Sequence, residues 1–133
     1  MSTDLERELE RTTEMRGFRF GMHDFVGNLL GAEALKKHND RSAVNYLKKG
    51  LIDRKTKELA IIAACVALKD NITHMQCHMW AAHKAGATPE EILELIGLVS
   101  QHAGNVAKAG GMEAWRALFR PDIPTIYRVV DKR

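Results

Sequence analysis

The chain has 133 residues, of which 45% are hydrophobic and 28% charged, a balance typical of one folded globular domain and not of a disordered segment. Aromatic residues make up only 6%, and Ala, Leu and Ile supply most of the apolar surface, which favours packed helices over strands. The net charge of +3 comes from basic residues interleaved with acids, without a basic stripe, so we expect no nucleic-acid partner.

The sequence also argues against a membrane or an oxidising compartment. Its charged start, MSTDLERELER, lacks the apolar stretch of a signal peptide, and the longest apolar run, residues 59–68, is too short to span a bilayer. The two cysteines, Cys65 and Cys77, do not form a disulfide framework and are expected to be reduced thiols. These features predict a cytoplasmic protein without a membrane partner.

Glycine and aspartate residues mark the ends and breaks of three predicted helices in the first part of the chain. In chain order these are residues 3–16 ending at Gly17, residues 20–37 with breaks at Gly27 and Gly31, and residues 41–49 between an Asp40 cap and Gly50. The first of them is polar and charged on most of its surface, so its contact with the rest of the protein is expected to be thin.

Helix signals are stronger in the second part. They predict helices over about 54–69 after Asp53, from Asn71 or Ile72 to Ala85 before Gly86, from Pro89 to a break at Gly110–Gly111, and over about 112–119. The first contains ELAIIAACVAL, which is apolar on every side, so we expect it to be central. The third opens with the capping box Thr88-Pro89-Glu90-Glu91. Its apolar stripe comprises Ile92, Leu95, Ile96, Val99, Ala103 and Val106.

Two histidines stand out on the helix that is predicted to begin near Asn71. His74 and His78 are i,i+4 neighbours, so their rings can reach a common point. They could act as acid and base on a small substrate, or supply two metal ligands and take a third, such as His102, from elsewhere. A surface or hydrogen-bonded pair without chemistry is the third interpretation.

Two further residues are unusual in their positions. Glu58 is the only acid in the first turns of the apolar 54–69 helix, near the helix start, where the dipole favours a carboxylate. It is either a member of the site or a residue that caps the helix or pairs with Arg54 or Lys55. His102 lies on the apolar side of the following helix. A lone histidine there is more often a core residue than a catalyst, although the glycine after it would let another group approach.

The stretch from Leu51 to Trp115 resembles the carboxymuconolactone decarboxylase and alkylhydroperoxidase D superfamily. The resemblance lies, in order, in LIDRKTKELAIIAACVAL, the histidine-bearing helix and AAHKAGATPEEILELIGLVSQHAGNVAKAG. It implies a compact all-α fold of the alkylhydroperoxidase D type that assembles into a ring, commonly a homotrimer or homohexamer. We therefore expect one domain over 1–133, with a core over 51–118 and an N-terminal helical extension over 1–50.

The resemblance also suggests which branch of the superfamily fits. The peroxidase branch carries C-x-x-C, a histidine four residues later and an upstream glutamate in a proton relay. Here the cysteine positions fall on Asn71 and His74, the histidine on His78 and the glutamate on Glu58, with one extra residue between Glu58 and Asn71. A dithiol cycle needs an attacking and a resolving thiol. The chain is therefore more similar to the decarboxylase branch, which lacks the cysteine pair and keeps the histidine.

These observations lead to a first hypothesis and its alternatives. We expect a cofactor-independent lyase or isomerase of the decarboxylase type, acting on a small carboxylate of the kind that arises in aromatic breakdown. Its catalytic residues would be His78 as acid or base, His74 as its partner, and Glu58 and His102 as further members. The alternatives are a thiol peroxidase using Cys65 and Cys77, a non-catalytic oligomeric binding protein, and a metal site at the histidine pair.

Overall fold

The computed structural model describes residues 1–132, with Asn45 by its backbone only. Seven α-helices and one π-helical turn account for the regular structure, and residues 1–132 contain no strand. The helices are α1 (Asp4–Arg16), α2 (Gly21–Phe25), α3 (Ala32–Asn45), α4 (Arg54–Ala67), α5 (Ile72–Lys84), α6 (Pro89–Ala103) and α7 (Asn105–Phe119), and the π-turn is Val26–Leu30. The all-α prediction is confirmed. None of the described helices combines the length and apolarity needed to cross a membrane.

The chain divides into two compact units, Met1–Leu51 and the part that begins at Ile52. In the first unit, Thr3 and Glu6 form the capping box that starts α1, and Gly17, at a φ of 81°, ends it as predicted. Assembly into a ring and the single domain over 1–133 stay predictions.

The helix predicted over 41–49 is wrong. Helix α3 runs without interruption through Asp40 and ends at Asn45, so Asp40 is not a cap and Gly50 does not follow the last turn. The Asp40 carboxylate instead binds Arg11 of α1 at 2.7 Å and Lys36 at 2.9 Å. An aspartate that holds two helices together looks the same in sequence as an aspartate that caps one.

Gly27 does not break the helical structure as predicted, because it lies inside the π-turn. A Cβ atom at this position would come within 2.7 Å of Leu5 Cδ1. The residue is therefore small because α1 packs directly against it. Gly31, at a φ of 95°, does separate the π-turn from α3.

In the second unit α4 packs against α5, α6 and α7, so its central position is confirmed. The core that these helices share includes Ile62, Val66, Met75, Met79, Ile92 and Ile96, all at most 1% exposed. One face of α4 is nevertheless open in the single chain, because Ala60, Ala64 and Ala67 are exposed and Leu68, just beyond, is 80% exposed. The helix is thus apolar all round without being buried all round.

The predicted break at Gly110–Gly111 is also wrong. Helix α6 ends earlier, before Gly104 at a φ of 91°, and α7 passes through both glycines. A Cβ atom on Gly111 would lie 2.9 Å from Ile96 Cγ2 and 3.2 Å from Val66. This glycine lets α7 approach α4 and α6 closely and does not end a helix. Val106, predicted on the α6 stripe, belongs to α7 and is exposed.

Candidate active site

The candidate site lies where α5 begins beside α4. Asn71, which the sequence resemblance predicts to be at a cysteine position of the peroxidase branch, accepts hydrogen bonds from the backbone N–H groups of Thr73 at 2.8 Å and His74 at 3.4 Å. It is the N-cap of α5 and fixes the direction in which the first turn leaves the loop. The following turns then carry His74 and His78 on the same side of the helix.

Five polar side chains form one hydrogen-bonded chain at this position. Its members, in order, are Arg54, Glu58, His78, His74 and Asp70. Arg54 Nε donates to Glu58 Oε1 at 3.0 Å, and His78 Nδ1 lies 2.9 Å from Glu58 Oε2. The Nε2 atoms of the two histidines are 3.2 Å apart, and His74 Nδ1 contacts Asp70 Oδ2. The structure therefore brings together three of the four predicted site residues.

The hydrogen-bonded chain runs from the interior of the protein to its surface. The Glu58 side chain is fully buried, the His78 side chain is 21% exposed and the His74 side chain is 53% exposed. A buried carboxylate is tolerated only when it is paired, and the Arg54 guanidinium supplies the opposite charge. A solute that approaches the surface would therefore meet the histidine pair first, while Glu58 stays shielded behind it.

The hydrogen bonds constrain how many protons the histidine pair holds. Both Nδ1 atoms face carboxylates, Asp70 for His74 and Glu58 for His78, so a proton on each Nδ1 satisfies both contacts. The two Nε2 atoms face each other, and this contact also needs a proton, because two lone pairs at that distance repel. A proton placed between the two Nε2 atoms would satisfy this contact together with the two carboxylate contacts.

Asp70 was missed in the sequence, although it lies one helical turn before His74. The hydrogen bond from His74, followed by one from the backbone N–H of Asn71, holds the pKa of the Asp70 carboxyl below its ordinary value. An i,i+4 acid before a histidine is a signal that sequence inspection could have used. Whether such an acid faces the histidine depends on the turn between α4 and α5, and local sequence patterns did not predict the conformation of that turn.

The two cysteines lie on different helices and neither favours a thiolate. Burial, with a smaller contribution from the Asp70 carboxylate, raises the pKa of the Cys65 thiol to about 11. Burial also raises the pKa of Cys77 on α5. Because the thiolate is the reacting form, these surroundings work against the peroxidase alternative.

His102 lies apart from the hydrogen-bonded chain. It lines a shallow apolar groove between α4 and α6 with Ala63, Ala67, Leu98, Val99 and Ala103. Within residues 1–132, no hydrogen bond or ring contact joins it to Glu58, His74 or His78. The structure therefore gives His102 no contact through which it would act with the pair.

Comparison with known proteins agrees with the resemblance of the sequence. The model of the carboxymuconolactone decarboxylase family matches residues 33–119, which is well over half of the chain. The chain belongs to this family. The match starts in α3 and ends at the last residue of α7, so it includes the whole hydrogen-bonded chain. Searches of curated proteins and of solved structures gave no significant match.

Proposed function

We propose that this member of the carboxymuconolactone decarboxylase family is a decarboxylase-like enzyme that protonates a small carboxylated substrate at its histidine pair. The observation that carries the proposal is the 3.2 Å contact between the Nε2 atoms of His74 and His78, with both Nδ1 atoms held by carboxylates. This arrangement supports one proton between the rings, close to the surface, which is what a general acid requires.

The reaction that fits needs no cofactor. The substrate carboxylate leaves as carbon dioxide, and the electron pair of the broken C–C bond passes into the adjoining unsaturated lactone or carbonyl system. The shared proton of the histidine pair then forms the new C–H bond, and a proton from water restores the pair. The balance is one substrate carboxylate and one proton in, one product and one carbon dioxide out.

Each residue of the hydrogen-bonded chain has a distinct role in this proposal. His78 is the general acid or base and His74 its partner, since both Nε2 atoms face the shared proton. Glu58 and Asp70 are positioning residues that hold the two Nδ1 protons and orient the rings. Arg54 donates a hydrogen bond to the buried Glu58 carboxylate and supplies the opposite charge.

We also propose that the enzyme self-associates as a homotrimer or homohexamer. Three exposed large apolar residues of the second unit support this: Leu68 is 80%, Leu98 57% and Val106 68% exposed. A cation of another subunit would then hold the substrate carboxylate. Two free thiols fit the cytoplasmic location that we propose. Light scattering after gel filtration tests the assembly, and a monomer at micromolar concentration would refute it.

The test of function is a panel of small lactone and keto carboxylates, scored by carbon dioxide release and by deuterium uptake from heavy water. His78→Gln should abolish turnover and leave the assembly intact. His83→Gln is the matched control, because His83 is an exposed histidine of the same helix whose Nδ1 contacts the Ala87 carbonyl instead. Full activity of His78→Gln would refute the assignment.

Thiol chemistry is separated from this proposal by one additional assay. Hydroperoxide consumption with a dithiol reductant is compared between the unaltered chain and a Cys65→Ser/Cys77→Ser double variant. We expect no turnover in either, because both thiols are held protonated. Turnover that requires the cysteines would establish the peroxidase alternative in place of the decarboxylase.

A further inference from the structure

A cluster of three different metal-ligating side chains lies at the outer end of the hydrogen-bonded chain. The Cys65 sulfur, an Asp70 carboxylate oxygen and a His74 ring nitrogen all lie within 4.8 Å of one another. The proposed proton transfer does not use Cys65. We infer that these three residues form a binding site for a thiophilic divalent cation, Zn²⁺ in the first place.

The donor set selects the kind of cation. Thiolate, imidazole and carboxylate are the three ligand types that bind zinc, whereas Mg²⁺ and Ca²⁺ prefer oxygen donors alone. Three protein ligands leave a fourth tetrahedral position for water or a small anion. On binding, the Cys65 thiol loses its proton to solvent as the sulfur–metal bond forms.

The backbone holds two of the ligands in place independently of their side chains. Helix α4 ends in a Schellman turn, in which the Asp70 N–H donates to the Cys65 carbonyl at 3.0 Å and the Lys69 N–H to the Val66 carbonyl at 3.1 Å. Lys69 adopts a φ of 56° in this turn, a conformation that usually favours glycine. This turn places Asp70 beside Cys65.

A bound cation would replace the proton on His74 Nδ1, so the metal-bound pair would hold one proton fewer than the arrangement used in the proposed function. The remainder of the hydrogen-bonded chain can still be satisfied. With His74 Nδ1 on the cation, its Nε2–H donates to His78 Nε2, and His78 Nδ1–H donates to Glu58. Metal-binding histidines usually have such a partner on the second ring nitrogen. His78 and Glu58 would therefore orient a ligand of the metal without contacting the metal.

The experiment uses the full chain, freed of metal by a chelator and titrated with Co²⁺ as a spectroscopic substitute for Zn²⁺. We expect a thiolate-to-cobalt charge-transfer band in the near ultraviolet that saturates at one Co²⁺ per chain and disappears when Zn²⁺ is added. Cys65→Ser should abolish the band, and Cys77→Ser, the matched control, should retain it. Absence of the band from the unaltered chain, or its persistence in Cys65→Ser, would overturn the inference.

A second variant covers the case in which Cys65→Ser does not fold, since Cys65 is buried in the core. Asp70 is 33% exposed, so Asp70→Ala should fold and weaken Zn²⁺ binding by about tenfold or more. Unchanged affinity in this variant would equally refute the site. His78→Gln should keep the cobalt band while losing turnover. The metal site and the proposed function can therefore fail separately.

Discussion

Each unit of the protein contains two histidines whose rings meet edge to face, and the surroundings of the two pairs are opposite. His23 and His38 lie 5.3 Å apart between ring centroids in the first unit, and His74 and His78 lie 4.8 Å apart in the second. His23 is 1% exposed and has Arg16 nearby, and neither it nor His38 finds a hydrogen-bond partner for Nε2 within the described residues. The second pair has a carboxylate at each end.

The difference lies in the charges around the two pairs and not in the spacing of their rings. Burial, then the Arg16 charge, lowers the pKa of His23 to about 4, and burial lowers the pKa of His38 as well. No carboxylate bonds to either ring within the described residues, and the more distant Asp24 charge does not outweigh burial and Arg16 at His23, so that ring stays neutral near pH 7. In the second pair each Nδ1 atom faces a carboxylate, Asp70 for His74 and Glu58 for His78, and the proposed function depends on this arrangement.

The largest effect that separates the pairs concerns turnover. We expect His78→Gln to lower turnover by about 10²-fold or more, the contribution typical of a positioned acid or base. His23→Phe, which removes a buried histidine but keeps a ring, should leave turnover within about a factor of two once folded. Steady-state kinetics on a substrate found by the panel measures both. Equal losses in the two variants would remove the distinction between the pairs.

The second prediction concerns the stability of the fold at acidic pH. His23 binds protons less readily in the folded than in the unfolded chain, since its pKa falls from 6.5 to about 4. Its neutral form therefore stabilises the fold above pH 6.5, and this stability is lost as the pH falls toward 4. The loss should reach about 3 kcal/mol in the free energy of unfolding.

Urea unfolding followed by circular dichroism across this pH range measures the loss. His23→Phe should show a shallower decline because the titrating group is gone. His83→Gln, which removes an exposed histidine, should decline like the unaltered chain. An equally steep decline in His23→Phe would show that another group causes the acid sensitivity.

The third prediction tests the buried end of the second pair. Glu58→Gln leaves the Arg54 guanidinium and the His78 Nδ1–H without their carboxylate. Loss of hydrogen bonds to a charged group should lower the free energy of unfolding by about 2 kcal/mol, and turnover should fall with it. Glu91→Gln is the control, because Glu91 makes an exposed ion pair with Lys55. An unchanged midpoint of urea unfolding in Glu58→Gln would contradict this role.

The smallest expected effect on stability concerns Asp70, at the exposed end of the hydrogen-bonded chain. Asp70→Asn should lower stability by no more than about 1 kcal/mol, because exposed ion pairs contribute little. Its effect should be visible in the His74 ring instead, since an amide no longer requires a proton on Nδ1. Nitrogen-15 NMR of the imidazoles would show a changed tautomer for His74 and an unchanged His23. A stability loss equal to that of Glu58→Gln would contradict the contrast between the ends.

Much of the second unit could be predicted from the sequence because its helix ends depend on neighbouring residues. Asp53, Asn71 and the Thr88 capping box each bond to backbone groups two or three residues ahead, so the starts of α4, α5 and α6 are encoded locally. The spacing of His74 and His78 on one helical face is equally local.

What only the tertiary structure decided is which groups face each other from different elements. The sequence marked Glu58 as unusual, but its contact with His78 depends on how α4 packs against α5. Asp40 and Gly111 were misinterpreted because their partners lie on other helices. Cys65 lies beside Asp70 because of a turn in which Lys69 adopts a positive φ. A lysine in the sequence does not predict that conformation. Local hydrogen bonds fix the helices, whereas the site arises from packing between them.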